Sequence, residues 1–362
     1  MKNEEGLNKR LAKIEQYSVL LKKNLPTSSF IFVLESNDLV SIPFYTGSTF
    51  RGVFGVALKK VTCTLLRVRF SNRPKSIVGK EENIIKYDCK SCMFKSSCQY
   101  MKIFETYVGK EVTPAKKVHI APHPYILEPP FNANLHVYSK GEEISVGVNL
   151  IGQHAYDLPY FIAAFSEFEK IGVGKSRGHL SLKGVFYKIS EEIKPDLIYD
   201  GKKGLLYDPN VKNISYFDKG LVSKILEEQV LIIKFLTPAR IVYDKELVRD
   251  LTFLIFLKNL LSRINQLSVF YSEDGKLLQE RGFDIKILLE KSKNIEIKQN
   301  NLYWFDWERY SKKQRKKMIL GGLMGNIVFE GDFSDFIPLL LLGEQIHVGK
   351  NTTFGLGKYV II

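Results

Sequence analysis

Four cysteines fall in one segment of the chain and nowhere else. Cys63 stands upstream, and the run DCKSCMFKSSCQY carries Cys89, Cys92 and Cys98. A C-x2-C pair with a third cysteine close behind and a fourth upstream is the pattern of a tetrahedral thiolate site for zinc. His119 is an alternative to Cys63 as the fourth ligand, and an iron–sulfur cluster would use the same thiolates. A closed four-ligand shell leaves no position for a substrate, so the expected role is structural: a zinc that pins an insertion.

A second set of residues sits in two glycine loops. GVGKSRGH, Gly172 to His179, first suggests a phosphate loop, but Glu169 stands five residues before Gly174, where that motif needs its first glycine. The segment before the loop, LPYFIAAFSEFEKI, reads as a helix, and the segment after it, HLSLKGVFYKI, reads as a strand. A nucleotide-binding loop has the opposite order, so that reading is rejected. A second copy, HVGKNTTFGLGKYVII, begins at His347. Both copies follow an apolar helical segment opened by Asp and Pro (Asp157 and Pro159, Asp335 and Pro338), and both lead into an apolar strand. The repeat points to two versions of one domain in tandem.

The elements that must carry these loops can be read from their periodicity. Leu7, Leu11, Ile14, Leu21 and Leu25 have helical spacing, so residues 1–26 are expected as an N-terminal helix ended by Pro26. FIFVLES is a strand, and a helix starts near Ser48. Residues 63–117 are an irregular, basic insertion. Residues 135–151 read as a hairpin around Lys140 and Gly141. With the helix, loop and strand that follow, this gives β-α-β-β-α-β, a ferredoxin-like domain over 27–190. Residues 191–228 are expected as a linker region. The same order recurs over 229–362: strand VLIIKFLTPARIVY, a long helix, a hairpin with a basic turn, helix PLLLLGEQI, and the last strand. The expected class is α+β, with two tandem ferredoxin-like domains and a cysteine-rich zinc-binding insertion in the first.

Composition narrows the partner. The net charge is +14, which favours a polyanion, nucleic acid before an anionic membrane surface. No run of about 18 apolar residues is present, so no membrane span is expected. The start MKNEEGLNKR is not a signal peptide, and a cytoplasmic protein is expected. Tandem sheets with basic loops suit RNA. Gly172, Gly174, Gly349, Gly355 and Gly357 would let backbone approach the RNA. Lys175, Arg177 and Lys350 would meet its phosphates. The stretch SKKQRKKM and its surroundings, with Arg309, Lys312, Lys313 and Arg315, would follow the RNA backbone.

Four phrases together resemble a known family: FLTPARI from Phe235, LLSRINQL from Leu260, WERYSKKQRKKMILGGLMGNIVF from Trp307, and the C-terminal HVGKNTTFGLGKYVI. IPFYTGSTFRGVFGVALKK, in the first half, is similar to the N-terminal pattern of the same superfamily. The family is the CRISPR-associated endoribonucleases of the RAMP superfamily that cut repeat RNA in pre-crRNA into guide crRNAs. The resemblance implies a groove for repeat RNA and cleavage without a metal cofactor. In that reaction the RNA's 2′-hydroxyl attacks the adjacent phosphorus, leaving a 2′,3′-cyclic phosphate and a 5′-hydroxyl. Such chemistry asks for a base, an acid and cations. Relatives carry a histidine between the first strand and first helix, and Val40 to Arg51 holds none. The candidates expected instead are His347, at the head of the C-terminal loop, with Tyr45 and Arg51 where the family's active residues cluster. His179 is a further candidate. The alternative reading is a non-catalytic RAMP subunit that holds guide RNA beside other CRISPR effector subunits.

Overall fold

A computed structural model describes residues 2–43, 45–63, 88–107, 121–131, 136–189, 193–207, 217–311 and 316–362. The first half is built from β1 (Thr27–Ser36), α2 (Thr46–Thr62), β2 (Tyr125–Glu128), β3 (Glu143–Ile151), α3 (Leu158–Ser166) and β4 (Leu180–Lys188), preceded by α1 (Lys2–Asn24). Its sheet runs β2-β3-β1-β4, extended on the β4 side by Asp196–Asp200 and Leu205–Leu206. All these pairings are antiparallel. The second half repeats the order with β5 (Val230–Ala239), α4 (Phe253–Tyr271), β6 (Glu296–Ser311), β7 (Lys316–Glu330), α5 (Ile337–Ile346) and β8 (Tyr359–Ile361). Its sheet runs β6-β7-β5-β8, also antiparallel. In both sheets the first strand lies between the third and the fourth, the β-α-β-β-α-β topology of a ferredoxin-like unit.

Alternation explains which face each sheet buries. Along β1, Phe30, Phe32 and Leu34 are buried and the residues between them are not, as the period of two requires. The Phe32 ring meets Phe165 of α3, which in turn meets Phe54 of α2; Phe54 and Phe161 of α3 stack with centroids 4.8 Å apart. In the second half Phe235 on β5 meets Phe256 of α4 and Tyr359 of β8. Each second helix opens on a proline, Pro159 and Pro338, where the missing N–H costs nothing.

Two expectations change. The strand that follows the insertion and pairs with β3 is Tyr125–Glu128; His136–Tyr138 pairs instead with Val40–Ile42 in a separate two-stranded ladder. Tyr125–Glu128 is buried at three consecutive positions and does not alternate, so periodicity pointed to the run at His136 instead. Residues 191–228 hold more than a connection: two strands join the first sheet, and a helix, Lys219–Glu228, is capped by Asp218 on the Leu221 N–H. The N-terminal helix packs through Ile14, Leu21 and Leu25 on the core of the second half, against α5.

Candidate active-site cleft

The C-terminal glycine loop is the seam between the halves. Its 3-10 turn, Thr352–Phe354, sits on α2 and β2 of the first half. The fit is close: a Cβ on Gly47 of α2 would lie 2.0 Å from the Phe354 carbonyl oxygen. A Cβ on Gly355, which has φ of +84°, would lie 2.7 Å from the Leu127 carbonyl oxygen. Beside this contact opens a cleft of about 190 Å³ lined from both halves, with Tyr45, Thr46 and Glu128 on one side and Thr237, Gly355 and Lys358 on the other.

The cleft wall is fixed by hydrogen bonds. The Tyr45 hydroxyl donates to the Phe354 carbonyl at 3.0 Å. Thr46 Oγ1 donates to Pro130 O at 2.7 Å. Thr237 Oγ1 donates to Gly355 O at 2.7 Å and accepts from Lys358 N at 2.9 Å. Arg240 is half-buried near Tyr45 and Asp306, and donates to the Gly321 carbonyl. Burial pulls its pKa down, which those two neighbours oppose.

Behind the wall lies a buried ion cluster. Glu128 of β2 accepts from His347 Nε2 at 2.7 Å and from Lys358 Nζ at 2.7 Å, both in the second half, and from Asn149 Nδ2 at 2.9 Å. Burial alone would raise the Glu128 pKa; the His347 and Lys358 bonds override it and hold the carboxyl well below the usual range. His347 is 0% exposed, and its Nδ1 meets the Leu356 carbonyl at 3.0 Å. Both ring nitrogens therefore face acceptors, which is the arrangement of an imidazolium balanced by Glu128. Burial is the larger influence and lowers the His347 pKa overall, with the Glu128 carboxylate and the Leu356 carbonyl raising it in part.

The placement of the expected site residues follows. Tyr45 lines the cleft, 5% exposed, with its hydroxyl donated to Phe354 O. His347 does not: with both nitrogens engaged and no exposed surface, it has no face for a substrate and instead ties the halves together. Arg51 turns inward as well. Its guanidinium lies 4.3 Å from the Phe104 ring centroid and 5.2 Å from that of Phe354. Its Nη2 donates to His123 Nε2 at 2.5 Å. That bond makes Nδ1 the protonated nitrogen of His123, donating to Thr106 Oγ1 at 3.0 Å, whose hydroxyl donates to Ala121 O at 2.8 Å. Burial, with Arg51 and Arg263 beside it, pushes the His123 pKa down to about 3, so this ring stays neutral.

The glycines Gly172, Gly174, Gly349, Gly355 and Gly357 all have positive φ and each packs against protein backbone. A side chain at any of the five would run into that backbone. Lys175, Arg177 and Lys350, on the same loops, are exposed. On the first loop His179 donates from Nδ1 to Asp38 Oδ2 at 2.6 Å with its side chain 47% exposed. That bond holds the Asp38 carboxyl below its ordinary pKa. Arg309 lies on β6 opposite Met318; Lys312, Lys313 and Arg315 lie outside the described residues, as does His119.

The four cysteines are half-buried free thiols. Burial pushes the Cys89 thiol up, a Lys59 bond opposes this, and the charges of Cys63 and Cys98 reach it. Among the described residues no three His, Cys, Asp or Glu side chains gather as a metal-holding group. The gathered four-thiolate site expected from the spacing is not seen.

Glu128, Lys358, Thr237 and Arg240 were missed as site residues. Thr237 and Arg240 belong to the FLTPARI phrase, which was a usable signal; Glu128 lies in no motif.

Among the described residues no helix is long and apolar enough to cross a membrane. Residues 25–211 match the model of the AF_1859 N-terminal domain, and residues 233–359 match that of the CRISPR-associated endoribonuclease Cas6. An uncharacterized protein of Archaeoglobus fulgidus is 24% identical over 327 residues, 88% of this chain and 92% of that one. Among solved structures, a chain titled as part of a Cas6-RT-Cas1–Cas2 complex is 14% identical with a TM-score of 0.46; the match covers 93% of this chain, which spans 46% of that one. A Cas6 product complex is 14% identical with a TM-score of 0.49, covering 93% and 99%. Thermus thermophilus Cas6 is 14% identical with a TM-score of 0.44, covering 93% and 98%. The AF_1859 N-terminal domain model spans half of the chain, so the chain belongs to that domain family, and its second half is similar to the Cas6 endoribonuclease model.

Proposed function

We propose that this protein is an endoribonuclease that binds the repeat RNA of pre-crRNA and cuts it in the cleft between its halves. The observation that carries the reading is the convergence, on one cleft, of the Tyr45 hydroxyl, the Lys358 ammonium and the C-terminal glycine loop, within a Cas6-type chain. The RNA's own 2′-hydroxyl attacks the adjacent phosphorus without a metal ion. The 5′-oxygen leaves, and the products are a 2′,3′-cyclic phosphate and a 5′-hydroxyl. Tyr45 orients the phosphate or protonates the leaving oxygen, and Lys358 and Arg240 stabilise charge that builds up on the phosphoryl oxygens. Lys175, Arg177 and Lys350 hold backbone phosphates.

His347 and Arg51 serve as positioning residues: the first joins the halves, and the second supports Phe354 in the cleft wall. His179, oriented by Asp38, is exposed but does not line the cleft, so this reading gives it no part in bond breaking. Cys63, Cys89, Cys92 and Cys98 hold a structural zinc in this reading, supported by their spacing in the sequence; metal analysis of the purified protein tests it.

One observation favours a second reading, a guide-holding subunit: no histidine lines the described cleft. Incubation of repeat RNA with the protein in excess EDTA separates the two, because only the first yields a cyclic phosphate.

A further inference from the structure

A second cleft, of about 320 Å³, opens between the cysteine-bearing segment and the C-terminal end of α4. It is lined by Lys95, Lys102, Tyr107, Gln153, Phe270 and Tyr271, among others. Lys95 and Lys102 are exposed and make no ion pair with the described residues. Lys95 lies 5.9 Å from the Tyr107 ring centroid, and Tyr107 is itself 38% exposed. The turn that supplies Gln153 also presents Tyr156, the most exposed aromatic side chain of the described chain at 83%. Two lysines with no ion pair among the described residues, the exposed Tyr107 ring and an amide line one concavity, with Tyr156 on the turn beside it, which suits a single-stranded nucleic acid: phosphates meet the lysines, bases stack on the rings, and the amide reads a base edge.

The position is as informative as the lining. Thr106 lines this second cleft and is the end of the chain Phe354–Arg51–His123–Thr106. Phe354 lines the first cleft. Two side chains, Arg51 and His123, therefore separate the walls of the two clefts.

We infer that the second cleft is an exosite that takes single-stranded RNA next to the segment bound in the first cleft. This rests on the reading of the first cleft as an RNA site. The exosite adds affinity for RNA that extends beyond the repeat and takes no part in bond breaking.

The test compares binding and cleavage of two RNAs, the bare repeat and the repeat with single-stranded extensions of about ten nucleotides, within the footprint range of such sites. The proteins are wild type, a Lys95→Glu/Lys102→Glu double variant and Tyr107→Ala, each checked for an unchanged Tm. The wild type should hold the extended RNA more tightly. The double variant should lose about tenfold in affinity for it and flatten its salt dependence, as expected for two lost phosphate contacts. Tyr107→Ala should lose part of the same increment, with Tyr107→Phe restoring it. The variants' affinity for the bare repeat and the cleavage rate at saturation should not move. Equal affinity of variants and wild type for the extended RNA would overturn the exosite while leaving the first cleft standing, and would leave the surface to a protein partner. Failure of the wild type to bind either RNA would overturn both.

Discussion

His347 Nε2 and Glu128 Oε1 meet at 2.7 Å across the seam, one from each ferredoxin-like half. The contact is fully covered on the histidine side, and Lys358 occupies the other carboxylate oxygen. Removing one member of a buried ionic cluster leaves the rest uncompensated, at a cost of about 3–5 kcal/mol. His347→Ala should therefore lower the Tm by many degrees, and any loss of RNA cleavage should follow the loss of folded protein. A variant with wild-type Tm and no cleavage would restore His347 to catalysis.

The same cluster sets an acid limit. The Glu128 carboxyl is held below its ordinary pKa in the folded state, so its contribution is present above the unfolded value of about 4.3 and is lost as pH falls towards the folded one. The wild-type Tm should fall on acidification below about pH 4.3, and Glu128→Gln should start lower and fall less over that range. Thermal melts from pH 3 to 7 would check this.

Glu344 behaves in the opposite sense. Burial raises its pKa to about 7, with the Ile361 backbone bond and Lys358 opposing. A carboxyl raised on folding favours the folded state at low pH, and that contribution disappears as pH rises from about 4.3 to about 7. Glu344→Gln, which stays neutral, should gain about 3–4 kcal/mol over wild type at pH 8 and little at pH 4. Chemical denaturation at the two pH values reads the difference.

Tyr45 is the site residue that both the sequence and the structure bring to the cleft. Tyr45→Phe removes one hydrogen bond to Phe354, worth about 1 kcal/mol of stability. If the hydroxyl acts on the scissile phosphate, cleavage at saturating RNA should drop about a hundredfold with binding intact. Single-turnover kinetics with a parallel binding isotherm separate the two effects.

Gly47→Ala tests the seam itself. The new methyl would meet the Phe354 carbonyl, a backbone atom that cannot swing aside. The loop must lift from α2, at a cost of about 1–3 kcal/mol, and the cleft should lose RNA affinity even below the melting range. An unchanged Tm and affinity would show that the loop does not sit as described.

The element order was legible because strand alternation and the two glycine loops are local signals: FIFVLES and FLTPARI each announce a first strand. The Tyr125–Glu128 strand was not legible. It is only four residues long and follows the insertion, whereas the alternating run at His136 offered the better pattern. The roles of His347 and Arg51 were hidden for a different reason. Their partners, Glu128 and His123, lie 219 and 72 residues away, and a pairing across such distances leaves no trace in spacing. The glycines were correctly marked as special, but their close neighbours are backbone carbonyls of the protein, which only the packing shows.

The central claim is tested most directly by incubating the purified protein with its own CRISPR repeat RNA in excess EDTA and determining the product ends. Cleavage at one position, leaving a 2′,3′-cyclic phosphate and a 5′-hydroxyl, is the predicted result. Tight binding with no cut, or a cut that requires an added divalent metal, would contradict it.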